Sequence, residues 1–237
     1  MYAERPSPVP GLLVWDRTVG TAASVSRVLP DGCMDLILVG DDLLVAGPDT
    51  RAQVVTSAPG TRFAAVRFGP GVGPSVLGVP ADELRDARVP LSELWPARRV
   101  RQLAGRAAVA ADPARVLEAA VAETARHDPV VTAIVRLVAS GASVAEVARA
   151  VHLSERQLHR RCLVAFGYGA KTLHRILRMR SALDAARAGR DLADVAATTG
   201  YADQAHLTRD VRALAGVPPR ALVPARALVP ARTPPAS

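Results

Sequence analysis

The sequence predicts an α+β protein in which a small N-terminal β barrel or sandwich precedes an all-α domain with two helix-turn-helix motifs joined by a long helix. Three observations predict it. Up to about residue 90, short apolar runs recur every ~8–12 residues with Pro, Gly or Asp between them, which is the spacing of strands and turns. From Pro80 onward the apolar residues shift to helical spacing. Between residues 140 and 220 one pattern occurs twice: a capping residue, a small buried residue, a turn and a second cap.

The strands are read from Met34–Val39, Asp42–Ala46 and Arg62–Phe68. After Pro80, Leu91–Trp95 reads as a short segment, followed by helices at Pro96–Val109, Pro113–Arg126 and Pro129–Ala139. Each of the three has Pro in its first turn, where a missing N–H costs no hydrogen bond. The expected division is a β-rich cupin-like sensor or dimerisation domain at 1–90, a helical connector at 91–128, a DNA-binding domain at 129–223 and a flexible Pro/Ala/Arg tail at 224–237. The connector has no loop long enough to be a free linker and is expected to pack between the two ends. The tail belongs to a short tandem duplication, Arg-Ala-Leu-Val-Pro-Ala at 220–225 and again at 226–231, and a proline every six residues forbids a helix there.

A chain of 237 residues allows one large domain or two ordinary ones. Aromatic residues are only 3%, so the cores must be built from Ala, Val and Leu. Charge is uneven. Residues 1–90 hold 8 Arg against 10 Asp/Glu, a net of −2; residues 91–237 hold 22 Arg/Lys against 12 Asp/Glu, a net of +10. A basic half beside a near-neutral half points to a polyanionic partner for the basic half alone. Cys33 and Cys162 lie far apart, with neither a disulfide framework nor a CxxC metal site. No apolar run reaches the ~18 residues of a membrane span, and the first ten residues lack the pattern of a signal peptide. The expected location is cytoplasmic, with no membrane partner.

In the first helix-turn-helix unit, Ser143 and Glu146 form a capping box, and Val144, Val147, Ala148 and Val151 share one face. The chain turns at His152–Leu153. Ser154 and Gln157 form a second box, after which Leu158, Cys162 and Ala165 point inward and Arg156, His159, Arg160 and Leu163 outward. The second unit repeats the plan. Asp191 caps, Leu192, Val195, Ala196 and Thr199 are inward, Gly200–Tyr201 turns, and Asp203 caps again. Leu207, Val211 and Leu214 then face in, and Gln204, Ala205, Thr208 and Arg209 face out. Lys171 to Arg187 can form one helix between the units, with Leu173, Ile176, Leu177, Leu183 and Ala186 as its apolar stripe. Lys171, the one lysine, is a further candidate DNA contact. Arginine suits guanine and glutamine suits adenine, both bidentately, and two helices on a rigid connector could enter major grooves about 34 Å apart.

On these residues, positions 130–223 resemble the DNA-binding domain of the AraC/XylS family of transcriptional regulators. The segments that carry the likeness are Gly200-Tyr-Ala-Asp-Gln-Ala-His-Leu-Thr-Arg209 and Gly216-Val-Pro-Pro219. The resemblance implies double-stranded DNA as partner, Arg156, His159 and Arg160 as base-reading positions of the first helix, and Gln204, Ala205, Thr208 and Arg209 as those of the second. His152 departs from the family's usual turn glycine, which implies a mildly strained positive φ. Cys162 and Val211 stand where the family usually has phenylalanine, which implies smaller cores.

Residues 26–95 resemble the N-terminal domain of a subgroup of these regulators, a reduced cupin-like fold. Leu29-Pro-Asp-Gly-Cys-Met-Asp-Leu36, Pro59-Gly-Thr-Arg-Phe63 and Val66-Arg-Phe-Gly-Pro70 are among the segments that match. All five histidines lie at 127 or later, so the β half has no metal-ligand cluster and no Ser–His or Cys–His pair. The expectation is a non-enzymatic module without cofactor or metal. The alternative is a DNA-repair or methyl-transfer enzyme that borrows the helical domain. Effector candidates are Asp31, Cys33, Asp35 and Arg67, in a pocket lined by the Val, Leu and Ile of 34–46 with Phe63 and Phe68. Each has a plainer reading: a turn at Asp31–Gly32, a water-facing Asp35, a buried Cys33 acting as a small hydrophobe, and a solvated Arg67. Trp15 and Trp95 read as packing anchors. RNA polymerase is a further candidate partner, and monomer and homodimer stay open.

Overall fold

The structure is a computed structural model that describes residues 2–223. The tail at 224–237 lies outside the described residues. Among the described residues eight strands and nine α-helices follow in the order β1 Tyr2–Pro6, β2 Leu12–Thr18, β3 Ser24–Val28, β4 Met34–Val39, β5 Asp42–Ala46, β6 Gln53–Ser57, β7 Arg62–Phe68, α1 Gly73–Leu77, β8 Arg88–Pro90, α2 Ala97–Ala108, α3 Pro113–Ala122, α4 Pro129–Ala139, α5 Val144–Ala150, α6 Glu155–Phe166, α7 Ala170–Arg187, α8 Leu192–Thr198 and α9 Gln204–Ala215. Among the described residues, no helix is long and apolar enough to cross a membrane.

Six strands form an antiparallel sheet in the order β1-β2-β7-β4-β5-β8, and β3 pairs with β6 as a separate two-stranded ribbon. The period of two in the strands sorts side chains to opposite faces. Leu12, Val14, Leu36, Leu38, Val45, Val66 and Phe68 take one face and join Leu103, Ala107, Leu117 and Val121 of α2 and α3 in one buried cluster. The other face carries Trp15, Arg17, Asp35, Ile37, Phe63 and Arg67 beneath the ribbon. The three strands read from the sequence match β4, β5 and β7, the most apolar of the sheet.

Three expectations need correction. Arg88–Pro90 falls in a stretch read as helical but pairs with β5 as an edge strand, where proline removes no interior hydrogen bond. The short helix α1 interrupts the region read as β. The connector does not lie between the two ends. Its helices α2 and α3 complete the core of the sheet, with Trp95 buried beneath the Arg99 guanidinium 3.8 Å above its ring.

Helices α4 to α9 share a second core, from Val131 to Val223, with Leu158, Cys162, Leu173, Ile176, Met179, Val195 and Val211 fully buried. Both expected capping boxes form, at Ser143/Glu146 and Ser154/Gln157. Asp191 and Asp203 cap α8 and α9 through the amides of Ala193 and His206. The two halves touch directly. Arg85 donates to the Gly167 carbonyl at 3.3 Å, and Leu29 packs against the helical core. Tyr168 is buried, and its hydroxyl lacks a hydrogen-bond partner.

Candidate nucleic-acid interface and effector cavity

Helices α6 and α9 each follow a capped turn and end at a glycine in the left-handed conformation, Gly167 and Gly216. The caps satisfy first-turn amides that would otherwise lack acceptors. The buried residues Leu158 and Cys162 in α6, and Leu207 and Val211 in α9, turn the opposite faces outward. On α6, Arg156, His159 and Arg160 are exposed; on α9, Gln204, Ala205 and Arg209 are exposed. Arg156, Arg160, Arg209 and the exposed Lys171 form no hydrogen bond or ion pair among the described residues, which leaves their charges available to a partner. Thr208 is half-buried and donates its hydroxyl to the Gln204 carbonyl at 2.8 Å, so only its acceptor capacity remains. His159 lies against Gly169, where a Cβ would come within 2.8 Å of its Nδ1.

Each recognition-type helix is held by a different ion pair. In α6, Arg161 pairs with Asp128, the N-cap of α4. In α9 the carboxylate is on the helix itself. Asp210 accepts from Arg175 at 2.7 and 2.9 Å, from Arg178 at 3.0 Å and from the Tyr201 hydroxyl at 3.3 Å. Burial alone would raise the Asp210 carboxyl, but the hydrogen bonds and charges of Arg175 and Arg178 hold it below the usual carboxylate range. Arg178 also lies 4.1 Å over the Tyr201 ring. The Tyr201 hydroxyl is pushed up to about 12, first by burial and then by Asp210. A sequence reading that looks only for outward residues passes over Asp210, because its partners lie ~30 residues away on another helix.

The sheet face opposite α2 and α3 opens on a cavity of about 440 Å³ under the β3–β6 ribbon. Asp31, Cys33, Asp35 and Arg67 all line it. Asp35 and Arg67 are direct cross-strand partners, with Arg67 Nε 3.1 Å from Asp35 Oδ1 and Arg67 Nη1 3.4 Å from Asp31 Oδ2. Trp15 Nε1 donates to Asp35 at 2.8 Å. Asp35 is therefore buried and paired, and does not face water. Burial raises its carboxyl, with Arg67 and the Trp15 bond opposing. Arg67 is likewise engaged instead of solvated. Asp31 makes the expected turn, its Oδ1 accepting from the Cys33 amide at 2.9 Å with Gly32 at φ 82°, and it lines the cavity as well. Cys33 is half-buried, and burial followed by the nearby Asp31 pushes its thiol up, so it is poorly suited to act as a thiolate. Of the expected apolar lining, Ile37 and Phe63 face the cavity, whereas Leu36, Val45 and Phe68 face the helices. The sequence reading also missed Arg17, Asp49, Ser57 and Arg88, and it took Trp15 for packing alone. Their shared position depends on strand pairing that local spacing does not reveal.

The ribbon also touches the helical half. Arg27 donates to the Ala215 carbonyl at the end of α9 at 3.0 Å, and the Ala52 amide donates to the Leu214 carbonyl at 2.7 Å. Arg180 of α7 donates to the Asp31 carbonyl at 3.3 Å.

Comparison with known proteins gives two family matches. Residues 147–223 match a family described as helix-turn-helix domain, and residues 12–90 match a domain of unknown function (DUF6597). A search of curated proteins returns no match. Among solved structures, ToxT from Vibrio cholerae is similar at 10% identity over 92% of this chain and 96% of that one, with a TM-score of 0.48. ToxT from Vibrio cholerae strain SCE256 bound to an unsaturated fatty acid is similar at 10% identity over 88% and 92%, with a TM-score of 0.44. Likeness at that level decides nothing about the function of this chain. The matched helix-turn-helix domain at 147–223, the paired capped helices and their outward arginines together give the chain the make-up of a DNA-binding transcriptional regulator.

Proposed function

We propose that the chain is a one-component regulator in which α6 and α9 enter successive major grooves of one duplex and the N-terminal half modulates that binding. One observation carries the reading. Two capped helices present outward arginines, Arg160 and Arg209, at equivalent positions, and neither guanidinium has a partner among the described residues. Each can address guanine bidentately, Gln204 suits adenine, and Arg156, His159, Ala205 and Thr208 complete the base-facing surfaces. Lys171, exposed near the start of α7, would contact a phosphate. Asp31, Cys33, Asp35 and Arg67 belong to an effector cavity, and the ribbon that roofs it also holds the end of α9. A ligand with different affinity for two ribbon positions would shift DNA binding. The raised Cys33 thiol weighs against the methyl-transfer alternative. On this reading the protein works in the cytoplasm, as monomer or homodimer, with RNA polymerase as a protein partner.

The test selects duplexes from a random pool with the intact chain and measures affinity by fluorescence anisotropy. Affinity is expected to fall steeply between low and physiological salt. Arg160→Ala and Arg209→Ala should each cost roughly 1–3 kcal/mol and relax preference at different base pairs. Salt-indifferent binding, or loss of preference at the same base pair in both variants, would overturn the reading.

A further inference from the structure

The cavity is lined by three carboxylates, Asp31, Asp35 and Asp49, and three arginines, Arg17, Arg67 and Arg88, but they are not paired one to one. Asp31 and Asp35 share Arg67, and Arg180 adds a second guanidinium 3.8 Å from Asp31. Asp49 closes on Arg88 at 2.6 Å. Every carboxylate of the lining therefore has its arginine. Arg17 is the exception among the cavity's arginines. No carboxylate lies within salt-bridge distance of it among the described residues, and its guanidinium only donates to Ser24 Oγ at 2.8 Å and lies 5.8 Å over the Phe63 ring.

A second group in the same corner is unsatisfied. Ser57 is 5% exposed, lines the cavity, and its hydroxyl has no hydrogen-bond partner among the described residues. Ser57 stands directly across the ribbon from Ser24, the residue that Arg17 contacts. Arg17 and the Ser57 hydroxyl thus bracket one polar corner. A buried hydroxyl left without a partner loses its hydration with nothing in return, so such a group marks a place where a partner belongs. The surrounding walls are apolar, with Trp15, Ile37 and Phe63 on the sheet and Val28 and Val55 on the ribbon.

We propose that the cavity binds an amphipathic organic monoacid, its carboxylate held by Arg17 beside the Ser57 hydroxyl and its apolar body against Trp15, Ile37 and Phe63. The proposal rests on the reading of the N-terminal half as a sensor. A cationic ligand would find every carboxylate already closed by an arginine. An uncharged one would leave Arg17 without a counter-charge. An inorganic anion would leave the apolar walls uncovered.

Calorimetric titration and thermal unfolding of the intact chain, without DNA, test this with three matched series. These are indole-3-acetate, 4-phenylbutyrate and octanoate, each beside its amide and its corresponding amine. At least one acid is expected to bind and raise the melting temperature, roughly tenfold or more tighter than the amide or amine of the same body. Arg17→Gln should abolish that preference, Arg17→Lys should retain part of it, and Ser57→Ala should weaken the acid several-fold. An amide or amine that matches its acid, an Arg17→Gln variant with unchanged affinity, or three acids that all fail to bind would each overturn the inference. If Arg17→Gln does not fold, as judged by its own circular dichroism melt, Arg17→Lys and Ser57→Ala carry the test. DNA anisotropy on the same preparations separates the two readings. A chain that binds DNA but no acid loses only this inference, and one that binds an acid but no DNA loses only the DNA reading.

Discussion

The two helix-turn-helix units repeat the same order of cap, buried pair, turn, cap and buried face, with one extra residue after the turn of the second, yet each meets the same mechanical need with different chemistry. Val147–Ala148 corresponds to Val195–Ala196, and the amides of Leu153 and Tyr201 donate to the Ala148 and Ala196 carbonyls at 2.9 and 3.1 Å. Leu158 corresponds to Leu207 and Cys162 to Val211, all four buried. The turn residue is His152 in one unit, at φ 55°, and Gly200 in the other, at φ 77°. The next difference is electrostatic. Arg161 of α6 faces an acid outside its unit, whereas at the equivalent position of α9 Asp210 faces two arginines of α7. A repeated backbone therefore constrains which positions are buried and where the chain turns left-handed. It leaves open which partner carries the positive charge.

That difference in burial separates the expected effects of mutation. Asp210 is 7% exposed and Arg178 14%, whereas Arg161 and Asp128 are 44% and 34% exposed. Asp210→Ala takes the counter-charge from the half-buried Arg178 and should destabilise the chain by about 3 kcal/mol in urea unfolding. Asp210→Asn should cost less, because an amide oxygen can still accept from the arginines. The same carboxyl sets a pH dependence. Its folded pKa lies below the unfolded value, so its stabilisation is present above pH ~4 and is lost as the pH falls through the folded pKa. In Asp210→Ala that part of the acid sensitivity should vanish; an unchanged acid unfolding profile would show that other carboxylates dominate.

The turns should respond with opposite signs. Gly200→Ala places a Cβ at φ 77° and should cost roughly 1–2 kcal/mol. His152→Gly relieves a left-handed non-glycine residue and should stabilise by up to about 1 kcal/mol, after the entropy that glycine adds to the unfolded chain. Denaturation of both variants under one set of conditions checks the pair, and a His152→Gly protein less stable than its parent would mean that the His152 side chain contributes more than its backbone strain costs. The smallest effect is expected from Arg161→Ala, below about 1 kcal/mol, because both partners are solvated. A loss as large as that of Asp210→Ala would erase the distinction between the two units.

The helical half was legible because its signals are local. Ser143 with Glu146, Ser154 with Gln157, Asp191 and Asp203 act within one turn of their own positions, and the apolar residues at helical spacing mark the buried side. The positive φ of His152 was implied by the resemblance, which has glycine at that turn, and the structure has it at φ 55°. Strands β4, β5 and β7 were readable because they are apolar on the buried face, whereas β3 and β6 mix Ser, Arg, Gln and Thr with Val and carry no comparable run. Arg88–Pro90 took its conformation from β5, a partner ~40 residues earlier, which outweighed a helix-compatible neighbourhood.

By itself the sequence determined the change from strands to helices, the two capped units, their core positions and the outward arginines, since all of these arise from interactions within a few residues. Only the tertiary structure decided that α2 and α3 belong to the core of the sheet, that Asp31 and Arg67 form one network with the buried Asp35, that Arg17 and Ser57 meet in one corner, and that Asp210 locks α9 to α7. The physical reason is sequence separation. Which face of a strand is covered, and which distant charge reaches a buried carboxylate, depend on pairings whose stability comes from the whole packed layer, and no residue carries that information locally.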